Sequence, residues 1–119
     1  MSVASKLQIK PGQHVVVLRK PDDVEIEGTS GGVVEDVASA DGALVFVTAA
    51  ADLSTPDVEA VLALARRDVL AWVAYPKGGQ LGTDLNRDRL AALISQRGVQ
   101  PVRQISVDST WSALRFRPA

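Results

Sequence analysis

Ala43-Leu44-Val45-Phe46-Val47, then Thr55-Pro56-Asp57-Val58, then Val69-Leu70-Ala71-Trp72-Val73-Ala74 read in turn as a strand, the start of a helix and a second strand. Both apolar runs are rich in β-branched and aromatic residues and lack polar alternation, which predicts strands buried on both faces. Between them, Thr55 suits a helix N-cap, Pro56 the first helical position and Asp57 the first turn. Val58, Val61, Leu62 and Ala65 recur at helical spacing, and Arg66 and Arg67 stand where a helix C-terminus favours cations. A strand, helix and strand of this length make a right-handed crossover with parallel strands.

On the N-terminal side, Val15 to Leu18 repeats the buried-strand pattern. On the C-terminal side, Lys77-Gly78-Gly79-Gln80-Leu81-Gly82 reads as a loop, and Thr83 or Asp84 caps a second helix that turns Leu90, Leu93 and Ile94 inward and stops at Gly98. Residues 102–107 and 111–116 read as strands joined by Asp108-Ser109-Thr110, an antiparallel hairpin, with Ile105 and Val107 alternating with Gln104 and Ser106 as on an edge strand. Residues 21–42 carry the thinnest pattern: a helical turn over 23–27 and a short strand over 33–37, separated by Ser30-Gly31-Gly32. The expectation is one domain over residues 1–119, a three-layer α/β fold with a mainly parallel sheet and a C-terminal antiparallel hairpin.

Composition narrows the function classes. Thirteen Lys+Arg against fourteen Asp+Glu leave a formal charge of -1, and two Trp, one Tyr and two Phe are too few for a base-stacking platform, so nucleic acid is a poor partner. With no cysteine and a single histidine, His14, there is no thiolate or multi-histidine metal site, and a metal ion is not expected. Lysines without an apolar run at the N-terminus, and no stretch long enough to span a bilayer, point to the cytoplasm and away from membranes.

Three phrases carry a family resemblance: Trp72-Val73-Ala74-Tyr75-Pro76-Lys77, Thr83-Asp84-Leu85-Asn86-Arg87-Asp88, and Val107-Asp108-Ser109-Thr110-Trp111-Ser112-Ala113-Leu114-Arg115-Phe116-Arg117. They resemble a family of small bacterial α/β domains of unknown function, which implies a fold and no particular activity. In architecture, Pro11-Gly12 before the first strand, the strand-helix-strand core and the closing hairpin are similar to a shortened class I methyltransferase, a Rossmann-like fold that ordinarily binds S-adenosylmethionine. The chain departs from that family where a glycine-rich turn is expected after the first strand, reading Leu18-Arg19-Lys20-Pro21-Asp22-Asp23. Pro21 removes a backbone donor, Arg19 and Lys20 add bulk, and no acidic residue clearly ends the second strand, so no cofactor is expected to be held in the family's usual way.

Ligands of open parallel sheets bind beyond the carboxyl ends of the strands. That edge gathers Arg19, Lys20 and Thr48, and the candidate ligand-binding residues Tyr75, Lys77, Gly78, Gly79, Thr83, Asp84, Asn86, Asp108 and Trp111. A helix N-terminus beside Lys77 suits an anion, although the lysine precedes the glycines rather than following them as in a phosphate loop. Four of them also have a purely structural reading: Asp84 as a cap, Asp108 as a turn former, Tyr75 and Trp111 as cover for the core. Trp111, Arg115 and Arg117 share one face of the last strand, Leu114 and Phe116 the other, and a part-exposed Trp and Arg strip suits a protein contact. His14 has no nearby nucleophile or orienting acid, no serine lies in a nucleophile-elbow pattern, and the pairs Asp22-Asp23 and Glu35-Asp36 diverge in extended chain. No catalytic set emerges. The expectation is a non-catalytic binding or interaction module that meets a protein partner or itself; the alternative is a small ligand sensor or methyltransferase-like enzyme for an anionic or nucleotide-type ligand.

Overall fold

The computed structural model describes residues 2–119. In chain order they form α1 (Val3–Lys6), β1 (Val15–Leu18), β2 (Thr29–Gly31), α2 (Val34–Val37), β3 (Gly42–Phe46), α3 (Pro56–Arg66), β4 (Leu70–Pro76), α4 (Arg87–Ser95), β5 (Val99–Ser106) and β6 (Trp111–Pro118). The result is a mixed α/β fold around one six-stranded sheet, ordered β2-β1-β3-β4-β6-β5. β1 pairs in parallel with both β2 and β3, and β3 with β4, whereas β6 is antiparallel to both β4 and β5. The helix between β3 and β4 begins as its residue types dictate, with the Thr55 side chain accepting from the Val58 amide and Pro56 opening the first turn.

Strand alternation divides the apolar residues into two cores. On one face Val16, Leu18, Val45, Val73, Leu114 and Phe116 pack with Val37 of α2, Val61 and Leu62 of α3, and Leu90 and Ile94 of α4. On the other face Val17, Leu44, Phe46, Trp72 and Ala113 pack with Leu7, Val24, Ile26, Ile105, Val107 and Trp111. Helices α2, α3 and α4 therefore serve the first face, and the second is covered mainly by the N-terminal segment and the chain after β1. The buried Trp72 indole N–H donates to the Leu7 carbonyl oxygen at 3.0 Å, fixing that N-terminal cover in place.

Residues 21–42 correct the expectation. Residues 23–27 form no helical turn; Val24 and Ile26 are instead buried beneath the sheet. The second strand lies at Thr29–Gly31, held by parallel pairing with β1 rather than by any apolar pattern of its own. Residues 33–37 are helical over Val34–Val37, because the Asp36 carboxylate accepts from the Val33 amide at 2.9 Å and closes the first turn. Gly32 has to be glycine there, since a Cβ would lie 2.8 Å from Val16 Cγ1. The second long helix is capped by Asn86, whose Oδ1 accepts from the Arg89 amide at 2.8 Å, not by Thr83 or Asp84. Pro101 lies inside β5, which is an edge strand with an irregularity between Pro101 and Arg103, a position where a missing N–H is tolerated.

Glu59 ties α3 to the end of α4. Its carboxylate accepts from Arg66 at 2.6 Å and from Arg97 at 2.8 Å. The hydrogen bond from Arg66, then that from Arg97, outweigh partial burial and hold its pKa at about 2, against an ordinary 4.5. A depressed carboxylate stabilises the fold above its unfolded pKa and stops doing so as pH falls through the folded value. With half of the side chain exposed, Glu59→Gln should therefore lose at most about 1 kcal/mol at neutral pH. The urea midpoints of the two proteins should converge between pH 4.5 and about 2. Phe116→Ala, which empties a fully buried site, should cost about 3–5 kcal/mol in the same assay.

Candidate functional site

Strand order reverses direction between β1 and β3. From β1 the chain moves outward to β2, whereas from β3 it moves the opposite way to β4, so the two strand ends diverge and leave a crevice between them. After β1, Arg19 takes a left-handed conformation with φ 61°. The Lys20 ammonium turns back to donate to the Pro21 carbonyl at 3.1 Å and to that of Val24, which tightens the turn from within. After β3, Val47 extends the pairing by donating to the Ala74 carbonyl at 2.9 Å, and the chain enters a single 3-10 turn over Ala50–Ser54.

Asp52 organises that turn. Its Oδ2 accepts from the Thr48 amide at 2.8 Å, the Thr48 hydroxyl at 3.1 Å and the Ala49 amide at 3.2 Å, while Oδ1 accepts from the Arg19 guanidinium at 3.3 Å. The Thr48 amide is the main cause of a pKa below the ordinary 3.8; burial opposes it, and the Thr48 hydroxyl, the Ala49 amide and the Arg19 charge add to it. One carboxylate thus joins the loops leaving both diverging strands.

A cavity of about 370 Å³ opens here. Phe46 and Trp111, both buried, provide an aromatic wall, with ring centroids 4.9 Å apart and planes inclined at 77°. Pro21 and Leu81 add apolar surface, and Arg19, Asp23, Thr48, Asp52 and Thr110 supply polar groups. Leu81 is 61% exposed and holds φ at 53°. The crowding expected of the Arg19 to Asp23 turn is present, but it leaves space beside it rather than closing the crevice.

Of the nine candidate residues, Trp111 lines this cavity. It does so buried, so the part-exposed Trp of the sequence reading is corrected: its ring lies against Phe46. Asp108 shapes the hairpin tip, its Oδ1 accepting from the Thr110 and Trp111 amides, each at 2.8 Å. Lys77 donates from its backbone to the Thr110 carbonyl at 2.8 Å and from Nζ to the Ser106 hydroxyl at 2.7 Å, which carries its charge toward β5. Gly78 and Gly79 form the exposed turn before Leu81, with Gly79 left-handed at φ 79°. Thr83 and Asp84 brace the cavity from behind: the Thr83 hydroxyl donates to the Thr48 carbonyl at 2.5 Å, and Asp84 Oδ1 accepts from the Ala50 amide at 2.9 Å. Asn86 is occupied as the cap of α4. Tyr75 belongs to the core on the helical face, where its hydroxyl accepts from Gln104 Nε2 at 3.0 Å and burial raises its pKa.

Phe46, Asp52 and Leu81 were not singled out from sequence, although Thr48-Ala49-Ala50-Ala51-Asp52 directly after a strand carries a signal: a carboxylate a few residues past a strand end can gather its free amides. The S-adenosylmethionine implied by the methyltransferase resemblance does not fit in the usual way. Arg19 stands where the turn would need glycine, Pro21 offers no N–H, and β2 ends at Gly31 with no carboxylate. The nearby Asp36 is engaged by the Val33 amide.

No protein-family model and no curated protein matches the chain. A solved structure described as "The structure of LepI complex with SAM" is similar at a TM-score of 0.45 and 14% identity, covering 98% of this chain and 39% of that one.

Because Asp52 accepts several hydrogen bonds, Asp52→Ala should destabilise the fold by about 1–3 kcal/mol and speed hydrogen exchange at the Thr48 and Ala49 amides, read by NMR. The stabilisation from its depressed pKa is present above pH 3.8 and is lost on acidification below it.

Proposed function

We propose that this chain is a non-catalytic binding module that holds a small, flat, amphipathic molecule in the cavity between the ends of β1 and β3. The observation that carries the reading is the position of that cavity at the reversal of strand order, with Phe46 and Trp111 on one side and the Arg19–Asp52 pair on another. Its volume of about 370 Å³ is near the lower end of the ~300–1,000 Å³ of ligand clefts, enough for one ring system with a polar substituent. A ring stacks on or wedges against the aromatic wall, and its polar end meets Arg19, Asp23 or Thr110.

Two features of the same geometry favour binding without turnover. A general base needs a free lone pair and a pKa near the working pH. Asp52 is poorly matched to that task, since Oδ2 accepts three hydrogen bonds, Oδ1 faces the Arg19 guanidinium and its pKa is lowered. The sole histidine, His14, precedes β1 and so stands at the opposite end of the parallel strands. A second reading, contact with a protein partner or another copy, draws on edge strand β5, where Val102 is 46% exposed beside Arg103. In that reading the domain is a three-layer interaction scaffold of the bacterial cytoplasm.

Thermal shift and tryptophan emission test the proposal together, with adenosine, S-adenosylmethionine, its demethylated product, other nucleotides and sugar phosphates as probes. A ring-bearing probe at a hundredfold excess over its Kd should stabilise the fold by ~2.7 kcal/mol, several degrees, and should quench Trp111. Arg19→Ala should weaken that response, and sugar phosphates without a ring system should give none. If no ring-bearing probe moves either signal, the ligand reading fails, and sedimentation across micromolar concentrations then tests self-association through β5.

A further inference from the structure

The sheet ends in two strands that are each paired on one side only, β2 at one edge and β5 at the other. Such edges present backbone N–H and C=O groups to any strand that can approach. β2 runs parallel to β1, β3 and β4, β6 runs against β4, and β5 runs against β6, so the two edge strands point the same way. A second copy shifted sideways, without being turned over, therefore brings its β2 alongside β5 in parallel and keeps the helical faces of both sheets on one side.

The two edges differ in charge. Half of the fourteen acidic residues fall in residues 21–42, the stretch around β2, and no lysine or arginine accompanies them. Glu25 and Glu27 alternate with the buried Val24 and Ile26 in the segment that covers the sheet face away from the long helices, and Glu35 is exposed on α2. The ion pairs among the described residues use Asp52, Glu59, Asp68, Asp84 and Asp88, none of them from that stretch. β5 has the opposite character. Arg103 is exposed and enters none of those pairs, and the Lys6 and Lys77 ammoniums both donate to Ser106, a neutral residue of the same strand, at 3.3 and 2.7 Å. Arg103 stands two residues before Ile105 and so shares its face, the one away from the long helices. Each edge also leaves one valine in water: Val33, just past β2, is 59% exposed, and Val102 in β5 is 46% exposed.

We propose that copies of this chain associate head to tail through their sheet edges, β5 of one copy pairing in parallel with β2 of the next. This rests on the reading of β5 as a contact strand, names the surface that strand meets, and does not depend on what the crevice between β1 and β3 binds. Each edge is repelled by its own kind, since β5 against β5 sets cations against cations and β2 against β2 gathers carboxylates that have no counter-charge. Unlike edges attract, and the sideways shift puts Arg103 on the same side of the joined sheet as Glu25 and Glu27 of the next copy. Because the two surfaces differ, the contact adds copies one after another into chains or rings rather than stopping at a two-fold dimer.

Sedimentation velocity of the full chain across micromolar concentrations should show a mean mass that rises at low salt, and about 0.5 M salt should suppress the rise, because exposed charges are screened. Arg103→Glu and the double variant Glu25→Lys/Glu27→Lys, all on exposed residues where folding is not at risk, should each weaken association at least about tenfold by setting like charges face to face. Mixed in equal amounts, the two variants should associate again, because each then offers the other an edge of opposite charge. A chain that stays monomeric at low salt, or variants that fail to recover on mixing, would overturn the proposal. Association lost in Arg103→Glu but kept in Glu25→Lys/Glu27→Lys would overturn it too, while leaving β5 as a contact strand that pairs with itself.

Discussion

The central constraint on this chain is that β1, β3 and β4 are apolar on both faces. A strand of that kind exposes as much hydrocarbon below the sheet as above it, so a single set of helices cannot satisfy it. Crossovers place α2, α3 and α4 on one face. The other face is left to whatever chain remains, and the solution is irregular: a four-residue helix, Leu7 and the Val24 and Ile26 segment. The Trp72 indole makes this cover specific. Its N–H, buried in an apolar layer, requires an acceptor, and the Leu7 carbonyl is the one within reach.

The crevice between β1 and β3 is a by-product of the same arrangement. Loops that leave neighbouring strands in opposite directions cannot close over the gap, and their free amides need acceptors. Asp52 meets that requirement for Thr48 and Ala49 and reaches across to Arg19. Thr83 and Asp84 reinforce the arrangement from the α4 side through the Thr48 carbonyl and the Ala50 amide. The aromatic wall comes from strand alternation, because Phe46 of β3 and Trp111 of β6 lie on the face away from the long helices and their rings meet across β4.

Those features differ in how far the amino-acid sequence discloses them. The strands β1, β3 and β4, helix α3 and the hairpin were legible because their causes are local: unbroken apolar runs, a Thr-Pro cap, a turn with Asp108 at its head. β2 was not, since Thr29-Ser30-Gly31 is extended only because β1 offers it a partner. α2 was misread as a strand because its cue, Asp36 closing on Val33, competes with a β-branched composition. The candidate site was legible as a region but not as a set. Its edge of the sheet follows from topology, whereas the face on which Tyr75 falls depends on register, and Asp52 belongs to a turn whose form appears only when both strand ends are in place.

The Trp72–Leu7 bond also orders events in time. Its partners lie 65 positions apart, and Leu7 is the earlier to be synthesised. On a growing chain, the bond that fixes Leu7 therefore cannot close until β4 has emerged. The long-range contacts of the first residues are then among the last to form, a topology that slows folding and lengthens exposure of the apolar underside of the sheet.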